Sequence, residues 1–567
     1  MRWYAPAWPH GSAWIPIAIF PALVFAQAGP GVAPRPERLE LPAAPAAPAG
    51  SLQLKPLPAP GAALVLGAPV FVSAFRIVGA DSVAQDELAA LLSPWMERTL
   101  DAAQLTRAAE VVTAYLRGKG LLVAQATIPA QEIRDGVVEL TVIEGRIAST
   151  RLEVAEDSRV SKAAADRFLA HLRPGDTLRR DNVEHSLLLL NDLPGARLSA
   201  TLAPADQAGA VNIEGRLEND GAPVSGTLRL DNAGIRGVGE YRALLDARWK
   251  SPLGLGDLLG VGLMQSSEGA QTRASVTYGL PVNGLGTRIG ARYTEQRYRL
   301  GREFIVLDAK GESRATALLA SHPLIRRNDY NLILSLSYTE LATHDRQNAV
   351  GFVSDTRQHS VGAGLAADAR DSFLGGGVTE VQVQYLSGRV MLDTPVLAAL
   401  DTAPVGLGVS GAFSVLRLRA ERLQGLDSDS SLLFALTGQL ASKNLDAGSE
   451  LVVGGPDAVR AYPAGELYAD QGYYGRIEYR RALPLFASER SVASLFLDIA
   501  RVEVNRNPGA GDTANKRGLS GFGVGLHQVF GGGFSLQTSL AWKESKDRPT
   551  AAPERAPRVW ISASLQF

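Results

Sequence analysis

The final nine residues of the sequence, VWISASLQF (residues 559–567), alternate between two chemical classes of side chain. Apolar residues occupy one face of the segment, namely Val559, Ile561, Ala563, Leu565 and Phe567. The positions between them are Trp560, Ser562, Ser564 and Gln566. Because successive side chains of a strand point to opposite faces, this pattern predicts a strand with one apolar and one largely polar side. Such a strand suits either a soluble core or a barrel whose apolar side faces lipid.

The same alternation recurs upstream, for example in GFSLQTSLAWK (residues 533–543) and LRLRAER (residues 416–422). Many such segments are about ten residues long, the length that a tilted membrane-spanning strand requires. Tight turns such as PVNGLG (residues 281–286) alternate with long polar connections at 446–469 and 503–516. The predicted strands begin near residues 223, 239, 257, 271, 286, 313, 329, 357, 376, 411, 429, 470, 490, 517, 532 and 557. We therefore predict a transmembrane β-barrel of about sixteen antiparallel strands over residues 220–567.

Composition excludes several classes of function. The 567 residues carry 57 Lys and Arg against 58 Asp and Glu, so the net charge of -1 gives no reason to expect nucleic acid binding. The absence of cysteine excludes disulfides, thiol catalysis and cysteine-ligated metals. The seven histidines are scattered without ligand spacing, and no G-x-S-x-G or H-E-x-x-H motif occurs. We expect no catalytic residue, no metal site and no cofactor, and hence a protein that is not an enzyme.

The N-terminal segment has the pattern of an export signal. Arg2 precedes the apolar run WIPIAIFPALVF (residues 14–25), and Ala26-Gln27-Ala28 fits a small-x-small cleavage site. We expect a signal peptide over residues 1–28. Residues 29–70 are rich in proline and alanine and predict a semi-rigid linker.

Two small domains are predicted between the linker and the barrel, at residues 71–147 and 148–219. Each repeats the order β-α-α-β-β over about 75 residues, an internal repeat. If the first strand of the second domain pairs with the third, the second strand, ARLSATL (residues 196–202), lies at the sheet edge. A free edge offers unpaired N–H and C=O groups to an extended guest chain, unless polar cover or the neighbouring domain blocks it. The candidate contact residues are Leu198, Ser199, Thr201 and Leu202.

Two stretches of these domains resemble a known family. YLRGKGLLVAQATIPAQEIRDGVVELTVIEGRI (residues 115–147) and LLNDLPGARLSATLAP (residues 189–204) are similar to the polypeptide-transport-associated (POTRA) domains of two-partner secretion transporters. The resemblance implies an outer-membrane barrel whose POTRA domains lie in the periplasm and bind an unfolded exoprotein, itself a β-helical protein. It further implies that the barrel threads this client to the cell surface, in contact with outer-membrane lipid.

The resemblance extends to a loop flanked by glycine and proline. Val459-Arg460-Ala461-Tyr462 is similar to the family's Val-Arg-Gly-Tyr motif at the tip of a loop that folds into the barrel, and departs from it at Ala461. Where glycine adopts a positive φ freely, alanine is strained, so we expect a restricted backbone at this tip.

In SLFLDIAR (residues 494–501), alternation places Phe496 and Asp498 on the lumen side. The family has Phe-x-Asp on an inner wall, so the resemblance implies that Asp498 is the partner of Arg460. The alternative is that Arg460 is a solvated loop charge.

Other expectations follow from the same family. The terminal Phe567 resembles the signal read by the barrel-assembly machinery, which together with periplasmic chaperones is an expected partner during biogenesis. We expect a monomer. The main alternative function is an assembly factor that inserts other barrels into the membrane, although such factors usually carry more POTRA domains. A passive porin is a third alternative, against which the two small domains argue.

Overall fold

The structure is a computed structural model that describes residues 69–403, 406–484, 490–509 and 515–567. The predicted signal peptide and all but the end of the predicted linker lie outside the described residues. Two α/β domains precede a β-barrel in the described part of the chain.

The first domain is built around a three-stranded sheet. Its elements are β1 (Val70–Val72), β2 (Ala74–Val78), α1 (Gln85–Leu92), β3 (Arg98–Leu100), α2 (Ala102–Gly118), β4 (Gln125–Thr127) and β5 (Val137–Ile143). The sheet order is β2-β5-β4, with β2 parallel to β5, and β1 pairs separately with β3. Asp101 begins α2 with a capping box, accepting from the Gln104 amide while the Gln104 side chain accepts from the Asp101 amide. The single strand expected at 71–80 is thus two strands, divided at Ser73.

The second domain repeats the β-α-α-β-β order. Its elements are β6 (Arg146–Val154), α3 (Lys162–Leu169), α4 (Arg180–Asn191), β7 (Arg197–Pro204) and β8 (Ala210–Glu218). The sheet order is β6-β8-β7, so β7 lies at the sheet edge. The strand expected to run through residue 147 instead ends at Ile143, because Gly145 turns the chain with a φ of +87° and β6 begins immediately after it.

The remaining chain forms a closed barrel of sixteen antiparallel strands, as the alternation predicts. Its first eleven strands are β9 (Val224–Asp231), β10 (Arg242–Lys250), β11 (Leu258–Ser266), β12 (Gln271–Pro281), β13 (Arg288–Arg299), β14 (Ala309–Arg326), β15 (Tyr330–Gln347), β16 (Phe352–Asp371), β17 (Gly377–Leu392), β18 (Gly411–Gly425) and β19 (Ser430–Ala441). A short helix, α5 (Pro395–Thr402), lies between β17 and β18.

Two short strands, β20 (Leu451–Val453) and β21 (Leu467–Ala469), pair with each other and not with the barrel. The last five barrel strands are β22 (Gln471–Leu483), β23 (Arg490–Glu503), β24 (Lys516–Val529), β25 (Phe534–Lys543) and β26 (Arg558–Gln566). β26 closes the barrel by pairing with β9 over five residue pairs, from Ser562–Asp231 to Gln566–Thr227. Closure leaves no barrel edge unpaired, as a lipid environment requires.

The barrel wall has an apolar outer face and a packed inner face. On β23, Leu495, Leu497 and Ile499 are 59%, 41% and 45% exposed, whereas Phe496 and Asp498 between them are 5% and 0% exposed. The exposed apolar set therefore faces lipid and the buried set faces the lumen.

The second domain contacts one end of the barrel. Asp192, just after α4, accepts hydrogen bonds at 2.7 and 2.9 Å from the guanidinium of Arg326 in β14. Arg288 of β13 donates to the Asp192 carbonyl at 3.0 Å, and Lys250 of β10 pairs with Asp220 at 2.9 Å. Short connections such as 327–329 and 426–429 share this end of the barrel, and the long connections lie at the other end.

Candidate functional site

The connection between β19 and β22 folds into the barrel. Its hairpin of β20 and β21 and its tip pack against the inner wall formed by β23, β24 and β25. The buried apolar residues of this contact are Leu451, Val453, Val459, Ala461, Tyr462, Leu467, Ala469, Phe496, Ala500, Val502, Leu519 and Ala541. The segment is therefore a packed part of the interior, with an apolar core shared between loop and wall.

Glycine gives the tip its compact shape. Gly454 and Gly455 have φ angles of +100° and +89°, and a Cβ at Gly454 would lie 2.4 Å from the Pro463 carbonyl oxygen. The amide of Gly455 donates to the Tyr462 carbonyl at 3.1 Å, which closes the loop on itself. No residue with a side chain fits at Gly454 without displacing the chain.

Arg460 at the tip is held by Asp498 through three hydrogen bonds. The guanidinium donates from Nε to Oδ2 and from Nη2 to Oδ1, both at 2.8 Å, and the Arg460 backbone amide donates to Oδ2 at 3.0 Å. The two side chains are 6% and 0% exposed. A bidentate pair of this kind compensates two charges that have lost their water.

A second carboxylate completes the site. Glu478 on β22 accepts from Nη1 of Arg460 at 2.8 Å and from Nε of Arg480 at 2.8 Å. Arg476 donates to Oδ1 of Asp498 at 3.2 Å and to the Pro456 carbonyl of the loop at 2.9 Å. Three arginines and two carboxylates thus alternate in a network that ties the loop to β22 and β23.

Glu478, Arg476 and Arg480 were not predicted from the sequence. The available signal was alternation, since all three have the parity of lumen-facing residues on β22. The register then sets Arg476 opposite Asp498 and Glu478 opposite Phe496.

Phe496 forms the floor beneath the arginine. The Arg460 guanidinium carbon lies 3.2 Å from the Phe496 ring centroid, a cation–π contact in a site closed to water. Phe496 and Asp498, the two wall residues named from the sequence, therefore both contact Arg460.

Ala461 is accommodated without strain. It does not have a positive φ, so the backbone restriction expected from the sequence is wrong. Its methyl group instead meets a bare stretch of wall on β24, where a Cβ built on Gly521 would lie 2.3 Å from the Ala461 Cβ. The loop's extra methyl group is matched by a glycine in the wall.

The rest of the tip contacts the last hairpin of the barrel. Tyr462 is fully buried, and its hydroxyl donates to the Asp547 carbonyl at 2.7 Å and lies 2.5 Å from the Ser545 hydroxyl. Trp560 of β26 donates from Nε1 to the Arg460 carbonyl at 2.7 Å. The alternation placed Trp560 on the inner face but gave it no partner.

Glu466 extends this contact. Its carboxylate accepts from the Thr550 amide at 2.9 and 3.0 Å, from the Thr550 hydroxyl at 3.0 Å, and from the Ala551 amide at 3.1 Å. The loop therefore bridges β22 and β23 on one side and the β25–β26 connection on the other.

The other sequence-derived candidates lie elsewhere. On β7, Leu198 and Leu202 are buried in the core of the second domain, whereas Ser199 and Thr201 are exposed. Phe567 is 57% exposed on the outer face and exchanges backbone hydrogen bonds with Gly226 of β9. Across the described residues, no His, Asp or Glu side chains form a group of three able to hold a metal ion. In that same part of the chain, no helix has the length and apolar character to cross a membrane.

Comparison with protein families assigns the barrel to a known family. Residues 210–528 match the family described as haemolysin secretion/activation protein ShlB/FhaC/HecB. The chain belongs to this family. Residues 70–145 match the ShlB-type POTRA domain, which covers the first of the two α/β domains. The protein is thus an outer-membrane transporter of the two-partner secretion type, with its POTRA domains on the periplasmic side.

Individual relatives agree with this assignment. The transporter is 26% identical over 466 residues to the heme/hemopexin transporter protein HuxB of Haemophilus influenzae, covering 81% of this chain and 80% of that one. It is 22% identical over 408 residues to the outer membrane transporter CdiB of Dickeya dadantii, covering 70% and 69%.

Solved structures share the fold. CdiB from Escherichia coli superposes with a TM-score of 0.72 at 21% identity, covering 91% of the transporter and 93% of CdiB. CdiB from Acinetobacter baumannii gives 0.63 at 18% identity, covering 90% and 93%. BamA from Haemophilus ducreyi lacking POTRA domains 1–3 gives 0.50 at 14% identity. The predicted fold class, a sixteen-stranded barrel after POTRA domains, is confirmed.

Proposed function

We propose that the transporter captures an unfolded exoprotein at β7 and passes it through the barrel when the Arg460 loop leaves the lumen. The observation that carries this proposal is the double anchoring of Arg460 by Asp498 and Glu478. Sixteen strands enclose a lumen wide enough for water, so a loop packed inside it acts as a plug. The polar network supplies a defined seat to which the loop returns after each client.

Client capture is assigned to the free edge of β7. In the described part of the chain, the edge of β7 away from β8 pairs with no strand, and its Ser199 and Thr201 side chains are exposed. The two leucines of the strand point into the domain core, so the client is held through main-chain hydrogen bonds. In the first domain the equivalent strand, β4, has three residues against eight in β7. The longer edge strand of the second domain therefore offers a client more main-chain hydrogen bonds than that of the first domain.

The direction of transport needs a source of free energy. The sequence has no nucleotide-binding motif, and we assign the bias to folding of the exoprotein outside the cell. A client that folds into a β-helix on the surface cannot slide back through the barrel. We further propose that the transporter works as a monomer and that its own insertion depends on periplasmic chaperones and the barrel-assembly machinery, which reads Phe567.

The plug role can be tested by fixing the loop in place. Because the chain lacks cysteine, Glu466→Cys and Thr550→Cys introduce a unique pair across the loop-to-wall contact. A short bifunctional maleimide with a cleavable disulfide spacer should stop secretion in cells carrying both cysteines, and a reducing agent should restore it. Each single-cysteine variant with the same reagent is the matched control. Undiminished secretion by the cross-linked protein would overturn the proposal.

A further inference from the structure

Three cations lie side by side on the outer wall of the barrel. Arg299 of β13 pairs in register with Lys310 of β14, which in turn pairs with Arg346 of β15. All three side chains are exposed, while their chain neighbours Tyr298 and Ala309 are buried on the lumen side. The three residues therefore form one row across three adjacent strands, facing away from the lumen.

This row has no compensating charge within the described residues. No carboxylate lies within ion-pair distance of Arg299, Lys310 or Arg346, and Arg346 donates from Nε to the imidazole of His344. Like charges directly opposite each other in a sheet are destabilising. Three in succession form a site that a bound anion would stabilise.

The next two rows toward the membrane are also charged, but they are better balanced. Arg297 donates to Glu295 at 3.0 and 2.6 Å, and Arg314 lies 3.4 Å from Glu312. The arginine side chains are 65% and 53% exposed against 27% and 34% for the two glutamates. The outward surface at this level is therefore also dominated by guanidinium groups with free N–H donors.

The position along the strand gives the membrane level. Arg288, at the start of β13, contacts the second periplasmic domain, and Arg299 is the last residue of the same twelve-residue strand. At about 3.4 Å per residue and a tilt of about 40°, the strand rises about 28 Å between them, slightly more than an apolar band of about 25 Å. Ile289 and Tyr293 face outward within that band. The cation row thus lies at the headgroups of the outer leaflet.

An apolar hollow lies beside the row. A cavity of 580 Å³ opens on the lipid-facing wall between β9 and β13, with Arg297 at its edge. Its outward-facing apolar lining comes from Leu228, Ala243, Leu245, Leu263 and Ala274, and its polar lining from Gln265, Thr272 and Glu295. Small side chains at Ala243 and Ala274 create the hollow, which has the apolar character that an acyl chain requires.

We propose that this face binds an acylated glycolipid carrying phosphate monoesters, the kind of lipid that forms the outer leaflet of the outer membrane. Its phosphates lie on Arg299, Lys310 and Arg346, and one acyl chain occupies the hollow. Arginine and lysine are the preferred partners of phosphate oxygens, and a dianionic group neutralises the row. The hollow extends from β13 to Leu228 of β9, the strand that closes the barrel against β26.

The test measures lipid bound to the purified full-length transporter. Protein in detergent is incubated with lipopolysaccharide, repurified, and assayed for bound lipid by mass spectrometry. The triple variant Arg299→Gln/Lys310→Gln/Arg346→Gln should retain about tenfold less lipopolysaccharide, because three charge-assisted contacts are lost. The matched control is Arg481→Gln, which removes an exposed cation at the periplasmic end of β22. This variant should bind lipopolysaccharide as the unmodified protein does.

Two further arms identify the chemistry. Lipid A stripped of its phosphates should bind the unmodified transporter as weakly as the triple variant binds lipopolysaccharide. Ala274→Trp, which fills the hollow and leaves the cations in place, should also reduce binding while the barrel remains heat-modifiable. Equal retention by the triple variant and the unmodified protein would overturn the proposal. The proposal would also be overturned if the unmodified transporter bound phosphate-free lipid A as well as it binds lipopolysaccharide. Equal binding of phosphatidylglycerol and lipopolysaccharide would overturn it too.

Discussion

Arg460 and Asp498 are joined by three hydrogen bonds, of which one comes from the Arg460 backbone amide. Removing the arginine side chain leaves that backbone bond in place, and Arg476 still donates to Asp498. Removing the carboxylate breaks all three bonds at once. The two halves of the pair therefore contribute unequally to the seat of the loop.

The first prediction concerns this asymmetry. Arg460→Ala and Asp498→Ala should each reduce secretion by about tenfold or more, since losing one partner of a buried pair costs about 3–5 kcal/mol. Asp498→Ala should open the pore more often in planar bilayers, because the loop also loses its backbone contact. The double variant should be little worse than Asp498→Ala alone, with the barrel still heat-modifiable. Fully additive defects would show that the residues act separately.

The second prediction concerns Glu478, which no sequence motif identifies. Glu478→Gln keeps the shape of the side chain and an accepting oxygen but removes the charge, so Arg460 keeps only one of its two anionic partners, Asp498. We expect an intermediate rise in open-pore conductance. Glu421→Gln is a suitable control, because Glu421 pairs with Arg419 in a more exposed setting on β18 and does not contact the loop. If both substitutions act alike, Glu478 has no special role in the seat.

The third prediction concerns the contact of Ala461 with Gly521. Gly521→Val places atoms where the Ala461 methyl group now lies, which should displace the loop and raise basal conductance. Ala461→Gly should remain closed, because it only removes a methyl group. Combining Ala461→Gly with Gly521→Ala should leak less than Gly521→Ala alone, since it relieves the shorter of the contacts at that position. A combined variant that leaks as much as Gly521→Ala would contradict the packing argument.

The fourth prediction concerns β7. The Ala205 amide donates to the Ala210 carbonyl of β8, so the amides of Ser199 and Thr201 also face β8 and the Ala200 amide faces the open edge. Proline at Ala200 removes that open-edge donor and fixes φ, so purified POTRA domains carrying it should bind client more weakly. Ser199→Val changes the exposed side chain and keeps the amide, and should bind normally if recognition uses the main chain. Unchanged binding by the Ala200→Pro variant would mean that the client docks elsewhere.

The number of strands and the direction of their side chains could be predicted, because contact with lipid constrains the sequence of each strand. Every outward position must be apolar across the bilayer, so alternation gives the strand count and the inward direction of Asp498. The largest deviation in strand starts is at β16, expected near 357 and found at Phe352, where the strand continues beyond the membrane and the apolar signal fades.

Contacts across the lumen could not be predicted in the same way. Arg476, Glu478 and Arg480 are alternate residues on the lumen face of β22, and nothing local indicates which of them contacts the loop. That choice depends on the register between β22 and β23 and on the path of a loop between its glycine turns. The Trp560 contact spans 100 residues of sequence and likewise has no local signature.

The indole of Trp560 links closure of the barrel to closure of the pore. It lies on β26, the strand that closes the barrel against β9, and it holds the carbonyl of the same arginine that plugs the lumen. A nascent barrel that lacks this strand has both an open side and an incomplete seat for its loop. Closure of the barrel wall and seating of the loop in the lumen therefore both depend on β26.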